Sequence, residues 1–205
     1  MTETVHVLQP LIRDPKYRPL VLSLVPEWGR ISAGSLNTFD IDAFLVSIRK
    51  ALKDCEIDHY KLGLDVSLNQ EAGIANRGYW QLQFWGFFHP LKRRWREPLK
   101  ALLNPNGGVT VPVKVIKPDS VEAAAAYAVK DRFGRRLSYL KMNLHREDRG
   151  ECRNTRGRIL RGDPWVELMR FLDRIGLQRR IMLSGRALSL LPLHSPNAAQ
   201  FGGSK

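Results

Sequence analysis

The chain has 205 residues, 43% hydrophobic and 26% charged, which is enough apolar side chain for a folded core and argues against wholesale disorder. Lys and Arg outnumber Asp and Glu by 33 to 20, a formal charge of +13 that points to a polyanionic partner, nucleic acid first. No apolar run reaches the ~18 residues of a membrane span. No secretory leader is expected, and the two isolated cysteines, Cys55 and Cys152, exclude a disulfide framework or zinc module and suit a reducing cytoplasm.

Residues 1–18 are polar and proline-punctuated and read as an N-terminal arm. Leu20 to Val25 predicts a buried strand closed by Pro26 and Trp28-Gly29. Ile41, Phe44, Leu45, Ile48 and Leu52 fall at helical spacing behind a cap at Thr38 or Asp40. Residues 60–68 predict a second strand, with Leu62, Leu64, Val66 and Leu68 on one face and Lys61, Gly63, Asp65 and Ser67 on the other. A loop from Asn69 to Gly78 leads to an aromatic third strand, Tyr79 to Phe88. There Trp80, Leu82, Phe84, Gly86 and Phe88 form the core face. Tyr79, Gln81, Gln83, Trp85 and Phe87 share the other face, as hydrogen-bonded polar residues or a stacking surface for unpaired bases.

Pro90 can open a helix carrying Leu91, Trp95, Leu99 and Leu102, kinked or shortened by Pro98. Val109 to Ile116 alternates as a fourth strand, near an edge because of Pro112. Asp119-Ser120-Val121-Glu122 offers a capping box for a helix through Arg132. Asp163-Pro164 starts a last helix that ends at Gly176. This order predicts an α+β fold, a ferredoxin-like (RRM-like) sandwich with one mainly antiparallel sheet over residues 19–135. A basic helical extension at 136–190 and a disordered tail at 191–205 complete the expected organisation.

From Lys130 to Arg186 there are 16 basic side chains against 7 acidic. Arg146 to Gly162, with glycines and asparagine interleaved, reads as a flexible loop. The expected nucleic-acid contacts are Lys92, Arg93, Arg94 and Arg96 after the third strand, then Arg132, Arg135, Arg136, Arg153, Arg156 and Arg158. A solvated charge run is the alternative reading of the first cluster.

Two segments, GYWQLQFWGFF at 78–88 and AAAAYAVKDRF at 123–133, resemble in their order the HUH endonuclease superfamily, the rolling-circle replication initiators of plasmids and phages and the relaxases. In that family the third strand carries His-hydrophobe-His and a later helix carries Tyr-x-x-Lys. Here Gln81-Leu82-Gln83 stands at the first motif, and Tyr127-Ala128-Val129-Lys130 matches the second. The resemblance implies Mg²⁺ or Mn²⁺ held by Asp65, Gln81 and Gln83, polarising the scissile phosphate of single-stranded or hairpin DNA. Tyr127 would then attack the phosphorus to give a 5′-phosphotyrosyl link, with Lys130 as electrostatic support.

Glutamine is a neutral oxygen ligand without the imidazole donor, so metal affinity and catalysis should both be weakened. Taken singly, Tyr127 can fill a gap against the sheet, the glutamines can be satisfied polar residues, and Asp65 can pair with a cation. The expectation is a cytoplasmic DNA-binding replication initiator of a plasmid, phage or mobile element, with nicking activity open. The alternatives are an inactive DNA-binding regulator of the same descent and an unrelated ferredoxin-like RNA-binding protein. No Walker-type phosphate loop occurs, so initiation would require a host helicase and polymerase.

Overall fold

The structure, a computed structural model, describes residues 20–71, 78–89, 94–128, 133–142 and 151–184. Eight strands form one open, mixed and mostly antiparallel sheet: β1 (Leu20–Leu24), β2 (Arg30–Ser32), β3 (His59–Glu71), β4 (Gly78–His89), β5 (Val113–Ile116), β6 (Gly134–Met142), β7 (Glu151–Ile159) and β8 (Ile181–Leu183). The order is β5-β1-β4-β3-β6-β7, with β2 on β4 and β8 on β3. Among the described strands only β3 and β6 run parallel. Four helices among the described residues pack on this sheet: α1 (Ile41–Asp54), α2 (Arg96–Leu103), α3 (Val121–Ala128) and α4 (Asp163–Arg180). None is long and apolar enough to cross a membrane.

Alternation decides the layers. Leu62, Leu64, Val66 and Leu68 of β3, Trp80, Leu82, Phe84 and Phe88 of β4, and Leu22 and Leu24 of β1 all point to one face and are buried. Against them lie Phe44, Leu45, Ile48 and Leu52 of α1, Leu99 and Leu103 of α2, and Leu168, Phe171 and Ile175 of α4. Asp40 caps α1, its Oδ1 accepting the Ala43 N–H at 3.0 Å. The opposite face carries a smaller cluster: Val21 and Phe87 beneath Ala124 and Ala125 of α3. That helix covers Phe87, one of the three aromatics of the stacking surface expected on this face.

Several expectations are corrected. The segment after Phe133 is not a helical extension from the outset. Residues 134–142 and 151–159 form an antiparallel ribbon, β6–β7, that lengthens the sheet, and β8 adds a short strand on β3. Arg153, Arg156 and Arg158 therefore sit on a strand rather than in a loop. β3 continues through Glu71, and β5 starts only at Val113, after Pro112, which has no backbone N–H to give to the ladder.

α2 begins at Arg96, not Pro90, and Pro98 falls in its first turn, where a missing N–H costs nothing. Leu102 of that helix is exposed. Gly176, at φ +65°, breaks α4 as its left-handed conformation allows, yet helical residues resume as far as Arg180. The N-terminal arm, the tail at 191–205, and Lys92, Arg93, Lys130 and Arg132 lie outside the described residues.

Candidate functional site

The polar sheet face is built by register. Asp65 of β3 stands directly opposite Gln83 of β4, Ser67 opposite Gln81, and Gly63 opposite Trp85. Directly opposed side chains on one face of an antiparallel pair are close neighbours. Accordingly Gln83 Nε2 donates to Asp65 Oδ2 at 2.6 Å, with both residues buried. The amide donor satisfies this carboxylate oxygen in a place where water is scarce.

α3 brings the tyrosine to this pair. Ser120 Oγ accepts the Ala123 N–H at 3.1 Å and donates to Glu122 Oε2 at 3.0 Å, so Ser120 caps the helix start, and Glu122 bonds that hydroxyl instead of closing the expected capping box. The backbone N–H of Glu122, then Ser120, hold the exposed Glu122 carboxyl below its usual pKa. The small Ala124 and Ala125 let the helix lie close on Val21 and Phe87. At its other end the Ala128 carbonyl sits where a Cβ on residue 63 would be, so Gly63 is required for the helix to reach the sheet.

Tyr127 then lies with its hydroxyl 3.5 Å from Asp65 Oδ2, at the outer limit of hydrogen-bond reach. Its ring meets Trp85 edge-on, with centroids 4.9 Å apart. Tyr127 is 42% exposed, so an incoming ligand can touch it while Asp65 stays covered.

Asp65, Gln83 and Tyr127 are thus brought together. Gln81 is not part of this group, since its Nε2 donates to the carbonyls of Pro26 (2.9 Å) and Leu82 (3.0 Å). Turning that amide over would set oxygen against two carbonyl oxygens. Mg²⁺ and Mn²⁺ require several oxygen ligands. Among the described residues this face offers one carboxylate, whose Oδ2 holds a glutamine N–H, and a second glutamine turned away. No group of three His, Cys, Asp or Glu side chains suited to a metal occurs among the described residues. As oriented, these donors do not fit such an ion, and what the arrangement sets together is the Tyr127 hydroxyl and the Asp65 carboxylate. Lys61, also buried on this face, has its ammonium pKa pushed down by burial.

Gly63 was not singled out as a site residue by sequence reasoning, and Trp85 was read only as part of a stacking surface, not as the ring that Tyr127 rests on. Their signal was available in strand parity: Trp85 shares a face with Gln83, and Gly63 with Asp65. Among the expected nucleic-acid contacts, Arg94 and Arg96 are exposed at the start of α2. Arg135 and Arg136 lie on β6, and Arg153, Arg156 and Arg158 on β7. Compared with known protein families, curated proteins and solved structures, the chain finds no match.

Proposed function

We propose that this is a cytoplasmic DNA-binding protein of HUH replication-initiator or relaxase descent, acting on single-stranded or hairpin DNA of a plasmid, phage or mobile element. The observation that carries the reading is α3 lying on the polar sheet face with Tyr127 over the Asp65–Gln83 pair. That is the relative placement of tyrosine helix, acidic strand and third strand that the resemblance calls for. The order β5-β1-β4-β3, with α1 linking β1 to β3 and α2 and α3 on either side of β5, supports a ferredoxin-like core of the split βαβ type. The charge of +13 supports a polyanionic partner. With a donor set that suits Mg²⁺ or Mn²⁺ poorly, binding is the primary activity, and a host helicase and polymerase would do the subsequent work.

The Tyr127–Asp65 contact favours nicking as a second reading. Asp65 takes the Tyr127 proton, and the phenolate oxygen forms a bond to a backbone phosphorus. The P–O3′ bond breaks, and the 3′-oxygen leaves as a hydroxyl after taking up a proton.

The test is purified protein with pooled labelled single strands, in Mg²⁺, Mn²⁺ or EDTA, on native and denaturing gels beside Tyr127→Phe. Salt-sensitive retention of DNA on the native gel in all three conditions is expected. A covalent adduct on the denaturing gel, lost in Tyr127→Phe, establishes the second reading and, if metal-dependent, makes glutamine a working ligand. Tighter retention of RNA than DNA overturns the proposal in favour of a ferredoxin-like RNA binder, and no retention of either overturns it outright.

A further inference from the structure

Arg135 of β6 and Arg158 of β7 stand directly opposite one another in the ribbon, so their side chains leave the same face as near neighbours. Leu137 and Arg156, the next pair on that face, are likewise opposed. Arg135, Arg158 and Arg161, with Leu137 and Ile159, line a groove of about 700 Å³. None of these three arginines forms an ion pair with a described carboxylate. Arg135 Nε is buried and has no hydrogen-bond partner. Like charges set directly across a strand pair cost stability, and a buried donor without an acceptor adds to that cost.

Protection of a sheet edge is the ordinary use of charge on a terminal strand. It accounts for side chains on β7, the last strand in the sheet order, but not for Arg135 on the strand inside it. What this arrangement lacks is an anion with several acceptor oxygens. The guanidinium fork matches phosphate, and two arginines sharing one face can each take an oxygen. Ile159, 76% exposed in the same groove, offers an apolar surface that needs covering.

We propose that the β6–β7 ribbon is a phosphate track, in which Arg135, Arg158 and Arg161 hold the phosphates of a single DNA strand. This rests on the reading of the protein as a DNA binder and assigns the contact to a surface separate from the Tyr127 face. The Arg135–Arg158 opposition is retained because the ligand neutralises it.

The test uses the full chain and a labelled oligothymidylate, with affinity measured by anisotropy across a salt series. Arg135→Gln/Arg158→Gln/Arg161→Gln is compared with Lys50→Gln/Lys53→Gln/Lys100→Gln, which removes the same charge from α1 and α2. The arginine variant is expected to lose more than tenfold in affinity, and its log K against log salt slope to flatten by about 2, at ~0.7 per phosphate contact on a single strand. The lysine variant should stay within about twofold of wild type, as expected where charge acts only through the long-range field.

Equal losses in the two variants, or an arginine variant that binds like wild type, overturn the track while leaving DNA binding intact. No binding by wild type overturns both, and tighter binding of oligouridylate overturns DNA as the strand. A stability readout guards against a merely unfolded variant. Arg158→Gln alone should leave the free protein's Tm unchanged or raise it by about 1–3 °C as the like-charge pair is relieved, and a clear fall instead would show the arginines to be structural.

Discussion

Gln83 and Asp65 face one another across β4 and β3, with the amide nitrogen 2.6 Å from the carboxylate, both buried at 7% and 3% exposure. A hydrogen bond to a buried charged group is worth more than an average one, and removing one partner leaves the other to bear its desolvation. Gln83→Leu should therefore cost about 1–3 kcal/mol of stability in urea denaturation. Combined with Asp65→Leu, much of that loss should disappear. An additive double variant would show that the pair is not coupled.

Gly63 controls whether α3 reaches the sheet at all. A Cβ there would collide with the Ala128 carbonyl, which is backbone and cannot rotate aside. Gly63→Ala should destabilise by about 2–3 kcal/mol, as overpacking does. Because Tyr127 rests on Trp85, it should also change the tryptophan fluorescence of the folded protein. A variant of native stability and spectrum would mean that the helix sits elsewhere.

Glu167 of α4 is a three-way tie. Its carboxylate accepts from Trp80 Nε1 at 2.9 Å, Gly34 N at 3.0 Å and Leu36 N at 2.7 Å. Trp80 is fully buried, so its indole donor has no ready replacement partner. Glu167→Ala is expected to cost about 2–4 kcal/mol. Glu167→Gln, which keeps one acceptor oxygen, should recover part of this. A loss below about 0.5 kcal/mol for the alanine variant, the range of an ordinary surface change, would remove the tie from the account of how α4 docks.

Asp42 and Arg179 join α1 to α4 at 2.7 Å on the exposed side. The Arg179 guanidinium holds the Asp42 carboxyl below its ordinary pKa. A depressed folded-state value means the stabilisation is present above the unfolded pKa of about 3.9 and is lost as pH falls through the lower folded value. The Tm of Asp42→Asn should thus lie slightly below wild type at pH 7 and converge with it in acid, once the carboxyl is protonated in the folded protein as well. High salt should shrink the difference at neutral pH, since exposed pairs are screened. A gap that persists in acid would point to a cause other than charge.

Much of the central architecture was written in local patterns. The helical spacing of Phe44, Leu45, Ile48 and Leu52 and the alternation through β3 and β4 each repeat over enough residues to declare a buried face. The β6–β7 ribbon was hidden because its residues, rich in Arg with Gly and Asn, have little intrinsic preference for a strand. What makes it a strand pair is partnership, through Ser67 to Glu71 of β3, with residues far away in sequence.

The candidate site divides in the same way. Alternation alone determined that Asp65 occupies one face of its strand and that Gln81, Gln83 and Trp85 share one face of theirs, because side-chain direction follows from backbone geometry. Only the tertiary structure decided the register that sets Asp65 against Gln83, the Pro26 carbonyl that draws Gln81 away, and the approach of α3 over Gly63 that delivers Tyr127. Each of these is a contact between segments separated along the chain, chosen by which polar groups can be satisfied once the core has closed, and no single stretch of sequence carries it.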